Sequence, residues 1–509
     1  MLAKVKSYAL DGLVGYAVDT EVDINSGLPG YELVGLASTA TKESKERVRS
    51  ALKNSGLLYP MKKVTVNLAP ADTKKEGSQF DLPIAVGILA ATEQISSKKY
   101  KDFVVIGELG LDGKLRHVNG IMPLLLSALQ EGERKFIIPH SNAKEASFIE
   151  GIEVYAMERL RDVVDFLSGV EYAPVETSSF MSTCLNHGYG VDFSHVKGQS
   201  VAKRALEIAV SGGHNVLMVG PPGAGKTMLA KCVPTIMPDM TFNEAVEVTK
   251  IHSVSGILDP GVGIVTTRPF RTPHHTTTVP TLVGGGAKAT PGEVSLAHNG
   301  VLFLDEMPEY SRRALETLRQ PIEDRRVTVA RVAKSVEYPA NFMLIASMNP
   351  CPCGNYGSRT QVCKCTPSQI HNYISKLSGP LMDRIDLQIE VDSILYEEFR
   401  GKENPESSAV VKARINKVRA IQLERFKNDG IRTTAEMGSA QLEKYCALDK
   451  DGERLLEKAF ERLNLSARGT TRILKVARTI ADMEGAENIL AKHVAEAIQY
   501  RGLDRKYNR

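Results

Sequence analysis

Within 509 residues, one stretch constrains the fold more than any other: Gly220-Pro221-Pro222-Gly223-Ala224-Gly225-Lys226-Thr227. An apolar run, Asn215 to Val219, precedes it and reads as a buried strand, and a helical pattern, Met228 to Cys232, follows. Strand, glycine-rich loop and helix, in that order, let backbone N–H groups turn inward around anionic oxygens while the helix start adds its dipole. Lys226 can reach the β- and γ-phosphates of a nucleotide, and the Thr227 hydroxyl can ligate Mg²⁺. The bland alternative is a glycine-rich turn between two core elements, and the complete motif in this setting leaves it little room. ATP and Mg²⁺ are therefore the expected ligands.

A chain of this length exceeds one ordinary core, so two to four domains are expected. Residues 1–170 alternate strand-like and helical runs, which makes an α/β domain with no phosphate loop of its own. Residues 171–198, rich in Pro, Ser, Thr and Gly, read as a linker. Residues 199–394 form the nucleotide-binding α/β core, and 395–509 carry five helical patterns that predict a bundle. No apolar run reaches membrane-spanning length, and the N-terminus lacks the regions of a signal peptide, so the expectation is a cytoplasmic protein with no membrane partner. A formal net charge of +4 is too small to advertise nucleic-acid binding by bulk electrostatics, so any DNA contact must come from local patches. The tail from Arg501 to Arg509 is one small basic patch, which either adds to DNA affinity or is merely solvated.

Three more motifs complete a nucleotide site. Val301 to Leu304 is a buried strand ending in Asp305 and Glu306; Asp305 would hold Mg²⁺ and Glu306 would polarise the attacking water. Asn341 to Ala346 is another buried strand, and Asn349 beyond its end can orient water near the γ-phosphate. In Leu381-Met382-Asp383-Arg384, the arginine taken alone is a surface ion-pair residue. With the other motifs it matches a finger supplied to a neighbouring subunit's ATP, which implies a ring.

Four of seven cysteines, Cys351, Cys353, Cys363 and Cys365, crowd into one loop, 351–365. Four thiolates this close can close a tetrahedral structural Zn²⁺ site with no open position for chemistry. Their C-x-C spacing departs from the usual two to four intervening residues, and a redox-sensitive thiol group or a metal-free loop are the alternatives. Arg325 to Pro339 alternates apolar and polar residues about a turn near Ala333-Lys334, which predicts a β-hairpin with Arg331 and Lys334 close to its tip. Pro269, Pro273 and Pro280 exclude a continuous helix through the His/Thr segment 270–290. The adjacent His274 and His275 there are read as packing or bonding polar groups.

The order of these motifs resembles that of AAA+ ATPases, and Leu296 to Glu306 resembles the magnesium-chelatase branch. Lys74 to Ala85 and Gly107 to Met122 are similar to the peptidase domain of Lon proteases, an S5-like α/β fold built around a Ser–Lys dyad. Alignment places Asp81 at the nucleophile and Met122 at the lysine. Neither can play its role, so the domain is expected to be an inactive scaffold; Ser78 as a displaced nucleophile is outweighed by an ordinary turn serine. Together with Arg268 to Thr277, these features identify the chain as a member of the YifB/ComM group of magnesium-chelatase-like AAA+ proteins. That resemblance implies a homo-oligomer, a hexameric helicase acting on single-stranded or branched DNA, promoting branch migration in recombination and natural transformation. It implies a phosphate-gripping role for Arg331 and Lys334, against which a solvated hairpin stays open. It also implies a γ-phosphate contact from the helical lid by Arg468 or Arg472, with Arg472 preferred. The competing functions are a chelatase-type ATPase chaperone that remodels a protein partner, an ATP-dependent protease, and an ATP-regulated DNA-binding scaffold.

Overall fold

The computed structural model describes residues 2–36, 38–95, 98–184, 189–286, 289–330, 335–358, 361–393, 405–463 and 465–502. The chain packs as two compact units, residues 1–186 with 241–266, and residues 187–240 with 267–509.

The first unit is built on a seven-stranded mixed sheet. Its spatial order is Gly30–Val34, Lys63–Ala69, Val14–Asn25, Leu2–Asp11, Val104–Val105, Lys135–Pro139 and Glu153–Met157. Leu2–Asp11 and Val14–Asn25 form a long antiparallel hairpin running from Leu2↔Asp23 to Asp11↔Val14. The helix Asp81–Ala91 is buried at every residue, as expected for a segment that is apolar all round. It packs with Val5, Val22, Val64 and Val66 of the sheet. A second layer gathers Ile121, Leu124 and Leu125 with Phe136 and Val154.

The helix Phe242–Val254 belongs to this first unit, although sequence alone assigns it to the nucleotide-binding core at 199–394. Its N-cap Thr241 and Glu244 form a reciprocal capping box, and Val246 packs on the second layer. Ser253 accepts from the Gly120 N–H at 2.9 Å and donates to Glu145 Oε1 at 2.5 Å. Glu145 also accepts from the Met122 N–H at 2.9 Å. Burial pushes its carboxyl up to about 7, against the pull of the Ser253 and Met122 donors. A folded pKa above the unfolded one means that the folded form prefers the proton. The stabilisation is therefore fully present below about pH 4.5 and is lost as pH rises through about 7. The span corresponds to roughly 3 kcal/mol. Denaturant titrations of wild type and Glu145→Gln are expected to diverge over this range, the variant being the more stable at pH 8; equal stability at pH 8 would refute the assignment.

The second unit holds a five-stranded parallel sheet in the order Phe270–Arg271, Val301–Leu304, Met343–Met348, Val216–Val219 and Leu387–Glu390. Val216–Val219, Val301–Leu304 and Met343–Met348 are buried throughout, the pattern of parallel strands covered on both faces. The helices Ser408–Arg425, Ser439–Tyr445, Lys450–Leu463, Ala467–Met483 and Ala491–Gln499 form the expected C-terminal bundle. Its Ile415, Ile473, Val476 and Val494 share one apolar cluster with Leu206, Val216 and Leu229 of the sheet layer. The bundle set apart by sequence at 395–509 is thus continuous with the nucleotide-binding core.

The stretch 171–198 is more than a linker. It contains the short helix Phe180–Cys184, and Phe193 and Val196 are buried in the second unit's cluster. Among the described residues, no helix is long and apolar enough to cross a membrane.

Candidate nucleotide site

Three strands lie side by side, and their carboxyl ends bring the nucleotide motifs together. Val219 pairs with Met348, so Gly220 and Asn349 follow at the same level. Leu304 pairs with Ala346, which sets Asp305 beside Ser347. Open α/β sheets bind ligands in the crevice outside these strand ends.

The helix that follows the loop starts at Lys226 itself. Gly225 precedes it with φ +87°, a left-handed conformation that glycine adopts without cost. A Cβ on Gly220 would lie 2.1 Å from the Val391 carbonyl oxygen, so only glycine fits where the loop leaves the sheet.

Lys226 Nζ donates to the carbonyls of Gly220 at 2.6 Å and Pro221 at 2.9 Å, and to Asn349 Oδ1 at 3.2 Å. All three partners are neutral. Burial lowers its pKa, with Asp305 and Glu306 pulling the other way. An ammonium satisfied only by neutral oxygens suits the approach of a phosphate.

Thr227 Oγ1 donates to Asp305 Oδ2 at 3.0 Å. Two neighbouring oxygen ligands of an octahedral Mg²⁺, each at about 2.1 Å, would be about 3 Å apart, so this pair fits the ion. Ser347, which sequence reasoning missed, donates to Asp305 Oδ1 and accepts from the Glu306 N–H at 3.2 Å. Its signal was available, because Ser347 and Asn349 alternate onto one face of the strand end. Glu306 is exposed and has φ +51°, a sparsely populated conformation for a non-glycine residue that recurs at functional sites.

The two candidate arginines lie elsewhere, in ion pairs within the chain. Arg384 is buried and donates to the Pro380 carbonyl at 2.6 Å and to Glu323 Oε2 at 2.7 Å. Glu323 stands in the helix Arg319–Asp324, directly before the predicted hairpin. Arg472 donates to Asp386 Oδ1 at 2.9 Å. Asp386 is buried, and burial alone would raise its pKa. Arg472, His214 and the Asn215 N–H outweigh that and hold it below the usual carboxylate range. Arg468 lies in the first turn of the same lid helix. Arg501 donates to the Ile385 carbonyl at 2.6 Å and is buried, so it is not part of a solvated basic patch. The rest of that patch, at 503–509, lies outside the described residues.

The hairpin forms as read, with Arg326–Ala330 paired antiparallel to Ser335–Pro339. Arg331 and Lys334 lie outside the described residues. His274 and His275 stack at 4.0 Å between ring centres, and His274 Nδ1 meets Thr276 Oγ1 at 2.9 Å. This matches their reading as packing residues.

The four cysteines converge, their sulfurs all within 4.8 Å of one another. The separations are 3.4 Å for Cys351–Cys353, 3.7 Å for Cys351–Cys363 and 3.6 Å for Cys353–Cys363. A tetrahedral site with Zn–S bonds of about 2.3 Å has sulfur–sulfur edges of about 3.8 Å. Backbone N–H groups of Tyr356 and Cys365 donate to Cys351 and Cys363 sulfur, as suits thiolates. The cluster fits zinc.

In the first unit, Asp81 is bound by Arg47 through two contacts, at 2.6 and 3.0 Å. Burial nevertheless pushes its carboxyl up to about 6. Met122 is buried, and the Ser78 hydroxyl donates to Glu108.

A P-loop ATPase core is the class that this sheet order and these strand-end motifs define. Models of the magnesium chelatase subunit ChlI match the chain at residues 20–142 and 192–399, and a model of that subunit's C-terminal region matches 405–501. The competence protein ComM of Haemophilus influenzae is 44% identical over 510 residues, covering 99% of this chain and 98% of its own. The YifB protein of Escherichia coli is 42% identical with the same coverage. Lon protease 2 of Bacillus subtilis is 28% identical over 147 residues, 28% of this chain and 26% of its own. The chain belongs to the magnesium-chelatase-like AAA+ ATPase family that includes ComM and YifB.

Proposed function

We propose that this protein is a cytoplasmic, ATP-driven, ring-forming motor that acts on DNA. In this reading it is a hexameric helicase that promotes branch migration on single-stranded or branched DNA during recombination and natural transformation. The convergence of Lys226, Thr227, Asp305 and Asn349 at three adjacent strand ends carries the ATPase half of the reading. Chain-long similarity to a competence protein supports the DNA half.

In the proposed cycle, the 220–227 loop wraps the phosphates through its backbone N–H groups. Lys226 exchanges its neutral partners for β- and γ-phosphate oxygens; Thr227 and Asp305 would hold Mg²⁺, which when bound would neutralise developing charge. Glu306 takes the proton of the attacking water while Asn349 orients it. Once its pair with Glu323 opens, Arg384 reaches a neighbouring subunit's γ-phosphate, and once released from Asp386, Arg472 reports nucleotide state through the lid. Arg331 and Lys334 grip DNA phosphates from the hairpin tip. The four cysteines would hold a structural Zn²⁺, which would supply a cross-link and no chemistry. With Asp81 spent on Arg47 and Met122 in the lysine position, the first unit serves as a scaffold rather than a peptidase.

The matches to ChlI favour a second reading, in which the same motor remodels a protein partner. ATPase assays with and without forked or four-way-junction DNA separate the two. The DNA motor is expected to be stimulated several-fold at about 50 mM salt and to lose most of that stimulation by about 200 mM, because phosphate contacts release counterions. A flat response at low salt would shift the assignment to protein remodelling.

A further inference from the structure

The cysteine loop begins at the nucleotide site. At its start, Asn349 accepts from Lys226 at 3.2 Å, and the buried Cys351 follows two residues later. At its far end, Thr366 caps the helix Pro367–Ile374. Tyr373 of that helix is buried.

Midway along, Gly354 is pressed against the phosphate loop. It has φ +82°, and a Cβ there would lie 2.6 Å from Pro222 Cδ. The two loops are therefore in contact with no room for a methyl group.

Among the described residues of this loop, the apolar side chains of Val362 and Tyr356 are 84% and 39% exposed, so they do little to order it against the entropy of a flexible segment. A cross-link through four thiolates would supply that order by removing most of the loop's alternative conformations.

We propose that a thiophilic divalent cation of the zinc class, held by Cys351, Cys353, Cys363 and Cys365, sets the affinity of the ATP site by bracing Pro222 through Gly354 and holding Asn349 in place against Lys226. This rests on the metal reading of the cluster given above and adds to it a role in nucleotide binding.

The test uses the full chain, elemental analysis for zinc, and a fluorescent ATP analogue to measure Kd without turnover. One zinc per chain is expected. Stripping it with a strong chelator should weaken nucleotide binding about tenfold or more, within the usual range of coupling between sites, and zinc alone should restore it. Gly354→Ala should keep its zinc, checked by the same elemental analysis, yet lose a similar factor in nucleotide affinity, because the added methyl meets Pro222 and the +82° φ strains any side chain there. If no zinc is found and added zinc does not bind, the metal reading itself falls. If zinc is present but the stripped chain binds nucleotide unchanged, the coupling is overturned while the metal reading survives. Wild-type affinity in Gly354→Ala would likewise overturn the contact between the loops as its route.

Discussion

Lys226→Ala is expected to lower ATP turnover by about 10²–10³-fold, the usual cost of removing one pre-organised donor from a charge-developing transition state. Its Nζ is held by the carbonyls of Gly220 and Pro221 and by Asn349, so its position is set before substrate arrives. Truncation also removes the only charge on that tripod, and nucleotide affinity should fall with turnover. Glu306→Gln should separate the two effects. In the proposed cycle the exposed carboxylate serves the step in which water is deprotonated, a contribution of about 10²–10⁴-fold, whereas the Lys226–Thr227 cradle is untouched. This variant is therefore expected to bind ATP at wild-type affinity and retain it unhydrolysed. A rate within threefold of wild type in both variants would remove the basis for the assigned site.

Arg384→Ala is the second large effect, with a loss of about 10³-fold or more in kcat expected for a finger that neutralises the transferring phosphoryl group. Within the chain, its guanidinium is paired with Glu323 at 2.7 Å. Reaching a neighbour's phosphate therefore requires that pair to open, and a buried guanidinium does not give up a carboxylate without another anion to replace it. A subunit-mixing experiment tells this role apart from a structural one. In a mixed ring, an Arg384→Ala subunit keeps an intact phosphate loop and a Lys226→Ala subunit keeps an intact Arg384, so some interfaces are complete. Recovery of ATPase on mixing two inactive variants is the expected result. No recovery, together with a lowered melting temperature for Arg384→Ala, would leave Arg384 as a fold-stabilising ion-pair residue.

The nucleotide site could be read in one dimension because its parts are local. Glycines with positive φ, a lysine at a helix start and carboxylates at a strand end are each set by immediate neighbours. The hairpin was legible for a similar reason, since period-two alternation across Arg326–Ala330 and Ser335–Pro339 survives in the chain itself. Long-range partners were not legible. Arg472 carries no local sign that it will meet Asp386, 86 residues away. The helix Phe242–Val254 shows a buried face through Ala245, Val248 and Ile251, but periodicity says only that a face is buried, not which core covers it. Sequence alone therefore assigns 241–266 to the nucleotide-binding core. Asp81 and Met122 were recognisable as substitutions, whereas the Arg47 partner that accommodates Asp81 comes from a separate helix.

The return of residues 241–266 to the first unit has a consequence for how this protein is made. Synthesis runs from the amino terminus at about 5–20 residues per second, and the phosphate loop at 220–227 is polymerised before the helix that completes the first unit. Until 241–266 has been made, the surface that receives Val246 stays uncovered on the nascent chain. A gene truncated at either side of residue 186 would encode one fragment missing a helix and another burdened with one.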